Sequence, residues 1–272
     1  MTVRKRRQEA PMNKSGLLGM KLHQTLSFHP LLMHIPKTEA VFWPGCALMN
    51  LDPALLEKTL SVLKRKEPDI RLAAGCCGQP TVFLFPEKEK KRREKLLRLL
   101  KEQGVKRIYT ACPNCTVQLK NLDGFEILPI WPVLSDCLTA SDLKETSGTF
   151  LWHDPCPTRK DQRQQEAARK LLALSGCQYQ EPEHTGPETR CCGNFHMMRA
   201  TDPEKSETIR KRRLAEFPKD LTIVSNCEGC LAAFGSEGRN VLHLLELLFG
   251  ASKARGWKNR IKTTLRTKTG II

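Results

Sequence analysis

Leu72-Ala73-Ala74-Gly75-Cys76-Cys77-Gly78-Gln79-Pro80 and, downstream, Tyr109-Thr110-Ala111-Cys112-Pro113-Asn114-Cys115 decide how this 272-residue chain is read. With Cys46 they make a unit of five cysteines. The unit occurs again as Cys156, Cys191-Cys192-Gly193 and Cys227-Glu228-Gly229-Cys230. Cys76 and Cys191 lie 115 residues apart, as do Cys77 and Cys192, Cys112 and Cys227, and Cys115 and Cys230. Only Cys46 and Cys156 differ, at 110. Four cysteines in one register mark an internal duplication.

Strand and helix patterns alternate around these cysteines. In the first copy, residues 40–43 read as a strand and 53–66 as a helix, with Asp52 as its N-cap. A strand at 70–74, a basic helix at 86–103 stopped by Gly104, and strands at 105–110 and 125–130 follow. The second copy reads as a strand at 149–152, a helix at 162–175, a strand near Gln178, a helix at 202–217 and a strand at 221–225. An apolar helix at 241–249 closes it. This order predicts an α/β fold with parallel sheets covered by helices. The expected division is a basic N-terminal extension (1–38), a first cysteine-rich domain (39–147), a second (148–249) and a basic C-terminal tail (250–272). Both terminal pieces are expected to be loose, and their removal to leave the metal chemistry intact.

Ligands of parallel sheets bind at the carboxyl ends of the strands. Most of the cysteine groups directly follow a predicted strand, so groups about 30 residues apart in sequence meet at one sheet edge. Five crowded thiols repel one another once ionised unless a cation neutralises them, which points to a metal. A structural zinc ion closes with four ligands. Five, two of them adjacent, suit the several irons of a cluster better; zinc at one site is the fallback.

No apolar run is long enough to span a bilayer. The basic start, Arg4 to Arg7, is followed by polar residues and Pro11 where a secretory core would lie, so the expected location is cytoplasmic. Twelve cysteines there point to metal ligands or catalytic thiols rather than disulfides. The net charge of +16 is concentrated at the ends: residues 1–40 hold seven Lys/Arg against two acids, and 251–272 hold seven against none. Such tails are ordinarily solvated, and contact with an acidic partner or, peripherally, with an anionic membrane surface is their sharper reading. Nucleic acid is not expected, since the only aromatics there are Phe28 and Trp257.

The pattern Cys46 … Cys76-Cys77-Gly78 … Cys112-x-x-Cys115, present twice, resembles the cysteine-rich CCG domain of heterodisulfide reductase, in the subunit where its disulfide chemistry occurs. Related iron–sulfur subunits occur in lactate-utilisation and in glycolate and glycerol-3-phosphate oxidising enzymes. The resemblance covers residues 41–249. It implies two tandem Rossmann-like domains related by a pseudo-two-fold axis. It also implies two 4Fe–4S clusters of noncubane type, one held by Cys46, Cys76, Cys77, Cys112 and Cys115 and the other by Cys156, Cys191, Cys192, Cys227 and Cys230. The implied function is an oxidoreductase subunit that transfers electrons or reduces a disulfide or thiol-type substrate, with a small-molecule disulfide or a 2-hydroxy-acid pathway as the setting. The chain has no ferredoxin-type C-x-x-C-x-x-C-x-x-x-C-P run and no dinucleotide fingerprint. Electrons are therefore expected from a separate iron–sulfur or flavoprotein subunit. The alternative is a non-enzymatic zinc-binding module whose basic tails touch nucleic acid.

Other residues carry weaker signals. His153 and His196 lie beside the second cysteine set and are candidates for a supporting hydrogen bond or a proton donor. Cys137, Cys177, His243, Trp43 and Trp152 read as core residues. The charged run from Lys88 to Lys101 reads as a solvated helix face.

Overall fold

The computed structural model describes residues 14–252 and 255–271. The first half runs α1 (Lys14–Ser27), β1 (Ala40–Trp43), α2 (Pro53–Leu63), β2 (Arg71–Leu72), α3 (Gln79–Leu84), α4 (Pro86–Glu102), β3 (Arg107–Thr110), α5 (Pro113–Leu119), β4 (Glu126–Pro129) and α6 (Ile130–Cys137). The second runs β5 (Thr149–Trp152), α7 (Gln162–Leu174), β6 (Gln178–Gln180), α8 (Met198–Thr201), α9 (Pro203–Leu214), β7 (Thr222–Ser225), α10 (Glu228–Gly235), β8 (Val241–His243) and α11 (Leu244–Phe249). A last helix, α12, spans Trp257–Lys268.

Each half carries a four-stranded, all-parallel sheet. The strand orders are β2-β1-β3-β4 and β6-β5-β7-β8, which are the same order counted from the start of each copy. The expected α/β class and the duplication are thus present in the backbone. The middles of the central strands are apolar, as strands covered on both faces require: Val41, Phe42 and Trp43, and in the second copy Leu151, Trp152, Ile223 and Val224, are wholly buried. Asp52 caps α2 by accepting from the Ala54 N–H at 3.1 Å, with Pro53 at the first helical position.

Two readings need correction. Residues 241–249 are not one helix: Val241–His243 pairs with β7 as an edge strand, and the helix begins at Leu244. A short apolar run is buried equally well either way, so its pattern could not separate the two. His243 marks the junction. Its Nδ1 accepts from Leu245 N–H, while the Glu246 carboxylate accepts from His243 N–H.

The second correction concerns the ends. From Gly19 onward the chain divides into two compact units, Gly19–Cys137 with Ser252–Ile272, and Leu138–Ala251. The C-terminal segment belongs to the first unit and is not a loose tail. In α12, Arg260, Thr263, Thr264 and Thr267 are buried. Gly256 N–H and the Asn259 amide both donate to the Asn50 carbonyl, Ser252 Oγ accepts from Asp52 N–H, and Arg266 pairs with Glu57 at 2.9 Å. Residues 14–27 of the expected extension are helical, with Gln24 and Ser27 buried; residues 1–13 lie outside the described residues. Helices whose buried face is built from Thr, Arg, Gln and Ser carry no apolar period, which is why the sequence pattern missed them.

Truncation after Ala251 is expected to lower the Tm by about 5 °C or more, since even 1–2 kcal/mol of lost packing shifts a domain of this size by that much. Thermal unfolding followed by circular dichroism checks this. An unchanged Tm would mean that α12 is not part of the folded unit.

Candidate metal centres

Three adjacent strands end at the first cysteine set. Cys76 and Cys77 follow β2, Cys46 follows β1, and Cys112 follows β3 and is the N-cap residue of α5, whose first turn holds Cys115. The second copy repeats this. Cys156 follows β5, Cys227 follows β7 as the N-cap of α10, and Cys230 sits in that helix's first turn. Cys191 and Cys192 are reached differently. β6 ends at Gln180, eleven residues before Cys191, whereas β2 ends at Leu72, four before Cys76. That longer loop accounts for the one spacing that breaks the 115-residue register.

Within each set the thiols form a chain of contacts. Cys46 meets Cys76, Cys76 meets Cys77, Cys77 meets Cys115, and Cys115 meets Cys112. The second set has the same sequence: Cys156 to Cys191 to Cys192 to Cys230 to Cys227. Cys76 and Cys191 are the hubs. Thiols on either side donate to Cys76 and hold it well below the ordinary thiol range despite its burial; the equivalent donors, Cys156 and Cys192, push Cys191 down to about 2. A glycine N–H adds to each, Gly78 for Cys76 and Gly193 for Cys191, the latter at 3.3 Å. Cys46, Cys77 and Cys115, and likewise Cys156, Cys192 and Cys230, are pushed up: each donates to a neighbouring sulfur or is crowded by one, and each is desolvated. In the first set Cys112, which accepts from Cys115, is held low as well as Cys76, with raised thiols between them; in the second set Cys191 is the sulfur held low.

Backbone geometry makes room for this. Gly45 has φ +85°, and a Cβ there would lie 2.9 Å from the Cys115 sulfur. Gly193 has φ +86°, and its Cβ would lie 2.3 Å from the Ser206 carbonyl. Both positions need glycine for torsion and for space.

Among the described residues, no three or more His, Cys, Asp or Glu side chains converge as one metal ion requires. The sulfurs are strung out pairwise, a spread that suits several metal atoms better than one. Their soft, all-sulfur contacts fit iron–sulfur chemistry, and the glycine N–H groups are in place to donate to sulfur.

The two histidines singled out from sequence are placed differently. His153 is wholly buried, with Phe217 and Phe234 edge-on to its ring. Burial, followed by the Arg213 cation, pushes it down to about 3, so the ring is neutral. Its Nδ1 accepts from Arg213 at 3.2 Å, and its Nε2 has no hydrogen-bond partner. His196 lies on the loop after Cys192, stacked on Phe195 with centroids 3.7 Å apart; His196 and Met197 both adopt left-handed φ values, 55° and 57°. Next to the set, the buried Asp154 carboxylate accepts from Trp152, Arg169, Thr185 and the Gly186 N–H. Desolvation works against its charge, but the Arg169 bonds prevail and hold it below the usual carboxylate range. Trp43 and Trp152 are core residues as expected; Cys177 is buried and Cys137 half-buried.

Sequence reasoning missed the residues that press on the first set from outside the repeat: His23, Gln24 and Arg260. The Gln24 amide donates to the Cys76 sulfur at 3.6 Å, and Thr81 Oγ donates to Gln24 at 2.9 Å. No motif marks them.

Residues 40–120 and 150–235 match the family model of the CCG cysteine-rich domain. The chain belongs to the CCG cysteine-rich domain family. The two matched segments are the two CCG copies, and α1 and α12 lie outside both. An uncharacterized iron–sulfur protein of Methanococcus maripaludis is 30% identical over 187 residues, which is 65% of this chain and 36% of that protein. Another, of Methanocaldococcus jannaschii, is 25% identical over 219 residues, or 76% of this chain and 43% of that protein. The chain thus spans less than half the length of these relatives. Among solved structures, the aspartate racemase of Picrophilus torridus covers 82% of this chain and 98% of its own at 13% identity and a TM-score of 0.35. An aspartate racemase homologue of Pyrococcus horikoshii covers 85% and 100% at 12% and 0.29. Likenesses this slight say nothing about activity. No helix among the described residues is long and apolar enough to cross a membrane.

Gly45→Ala is expected to destabilise the fold by several kcal/mol, because torsional strain of about 1–2 kcal/mol is joined by the clash with Cys115. Gly104→Ala, at φ +73° with nothing within 4 Å, should cost the strain alone. Urea unfolding of the two variants separates the contributions, and equal losses would show that the Cys115 contact is unimportant.

Proposed function

We propose that each CCG copy holds an iron–sulfur cluster through its five cysteines, and that the chain is the redox subunit of an oxidoreductase. The observation that carries this reading is the identical order of sulfur contacts in the two sets. The relatives named as iron–sulfur proteins support the cofactor class. The cluster type proposed is the noncubane 4Fe–4S form, which five thiolates with an adjacent pair can serve.

The roles of the protein's own groups follow from the geometry. Cys76 and Cys191 are held low by the donors around them, which favours their thiolate form, and thiols must release their protons as they ligate. The Gly78 and Gly193 N–H groups remain to stabilise sulfur charge. The clusters would supply electrons one at a time to a disulfide or thiol-type substrate. Cleaving one disulfide takes two electrons and two protons and leaves two thiols. The proposed donor is a separate iron–sulfur or flavoprotein subunit, and the proposed setting a reducing compartment such as the cytoplasm. The zinc-module alternative draws little from the basic C-terminal segment. There Arg260 is buried, Arg266 is paired with Glu57, and Lys268 donates to the Pro30 carbonyl, so these charges are not a free surface for nucleic acid.

Protein purified without oxygen is expected to contain several irons and matching acid-labile sulfide per chain. Cys76→Ser with Cys77→Ser should remove about half of each, and Cys191→Ser with Cys192→Ser the other half. Zinc without sulfide, or loss of all iron from either folded double variant, would contradict the reading.

A further inference from the structure

Duplication gave the two cysteine sets the same ligands and the same glycine donors, but their surroundings differ. The hub Cys76 is buried, whereas its counterpart Cys191 is half-buried. The difference comes from outside the repeat. On α1, Gln24 reaches the Cys76 sulfur, and its own carbonyl is held by Thr81, to which Arg92 also donates at 2.9 Å.

On α12, Arg260 is wholly buried. Its Nη1 donates to His23 Nε2 at 3.0 Å and its Nη2 to Ser27 Oγ at 3.0 Å, while Nε has no hydrogen-bond partner among the described residues. Among the described residues no carboxylate pairs with it. A buried guanidinium without a counter-charge costs several kcal/mol, so an anion has to lie nearby. The groups that feel its charge are His23 and Cys46, and His23 in turn feels Cys76. The buried cation in the second copy is different: Arg213 is neutralised by Glu216 at 2.6 Å. The hydrogen bonds that lead from Arg260 run through His23 and Gln24 to the Cys76 sulfur, so the first sulfur set is where the missing negative charge would form.

We propose that α1 and α12 are working parts of the first centre. Gln24 gives a hydrogen bond to the Cys76 sulfur, and Arg260 an unneutralised positive charge linked to that sulfur through His23 and Gln24, so the first centre takes up an electron more readily than the second. Added negative charge on a centre is stabilised by donors to sulfur and by a neighbouring cation; the second centre has the Phe195 N–H on Cys191 and Arg213 near Cys230, but Glu216 already takes up that cation's charge, whereas among the described residues no carboxylate takes up Arg260's. Gln24 and Arg260 are positioning residues here; neither is a ligand. The potential difference rests on the iron–sulfur reading above, whereas the covering of Cys46 and Cys76 does not.

The test uses the full chain and two readouts. In metal-free protein, iodoacetamide labelling mapped by mass spectrometry should find Cys76 and Cys46 modified several-fold faster in Gln24→Ala, which uncovers them, than in the parent, with Cys156 and Cys191 unchanged. In loaded protein, a redox titration followed by electron paramagnetic resonance should show one of two signals shifted in Arg260→Gln. The shift expected is a tenfold loss in its reduction equilibrium, about 59 mV more negative for a one-electron couple. Arg260→Lys, which keeps the charge, should restore most of it. If the parent binds no iron yet the labelling changes as stated, the covering role stands and the iron–sulfur reading fails. If iron binds but labelling and both potentials stay unchanged, or both centres shift alike, the proposal is overturned and the iron–sulfur reading survives.

Discussion

The constraint on which the structure depends is the repulsion among five buried thiols brought to one sheet edge. Each set relieves it by hydrogen bonds among its sulfurs, with neighbouring thiols donating to the hubs Cys76 and Cys191. These donors and a glycine N–H favour the charged form at each hub. Parallel strand order makes the arrangement unavoidable. With β2-β1-β3 side by side, the residues that follow these strands must share one end of the sheet, and the same holds for β6-β5-β7.

Much of this was legible in the sequence because it depends on local rules. The duplication shows in the constant spacing of four cysteine pairs. β1 and β5 show as short apolar runs ending before Pro44-Gly45 and His153-Asp154-Pro155, and α2 shows through Asp52-Pro53. What was not legible depends on long-range partners. Val241–Phe249 splits into a strand and a helix because Ile223 and Val224 offer a register for pairing. α12 is helical and buried through three threonines and Arg260, whose hydrogen-bond partners His23 and Ser27 lie more than 200 residues away. No periodicity encodes a buried Arg that hydrogen-bonds to His23 and Ser27. The candidate site was legible to the same extent. Its ten sulfurs were visible as a pattern, while Gln24 and Arg260 look like ordinary residues of a basic terminus.

That mistake is informative about the charge. Most of the +16 sits in the terminal segments, and a tail reading makes it an attractor for external anions. Part of it is instead used inside the first unit, with Arg260 buried against His23 and Ser27 and Arg266 paired with Glu57. A basic terminus can thus serve an anionic metal centre within its own chain, and net charge alone does not separate the two uses.

The central claim is that these sulfur sets are built for iron and not for a single closed ion. X-ray absorption at the iron and zinc edges of the anaerobically purified chain tests it most directly. The account predicts iron in a sulfur-only shell with a second, iron–iron scattering shell, and zinc at background. Zinc in a four-sulfur shell, with no iron–iron scattering, would contradict it.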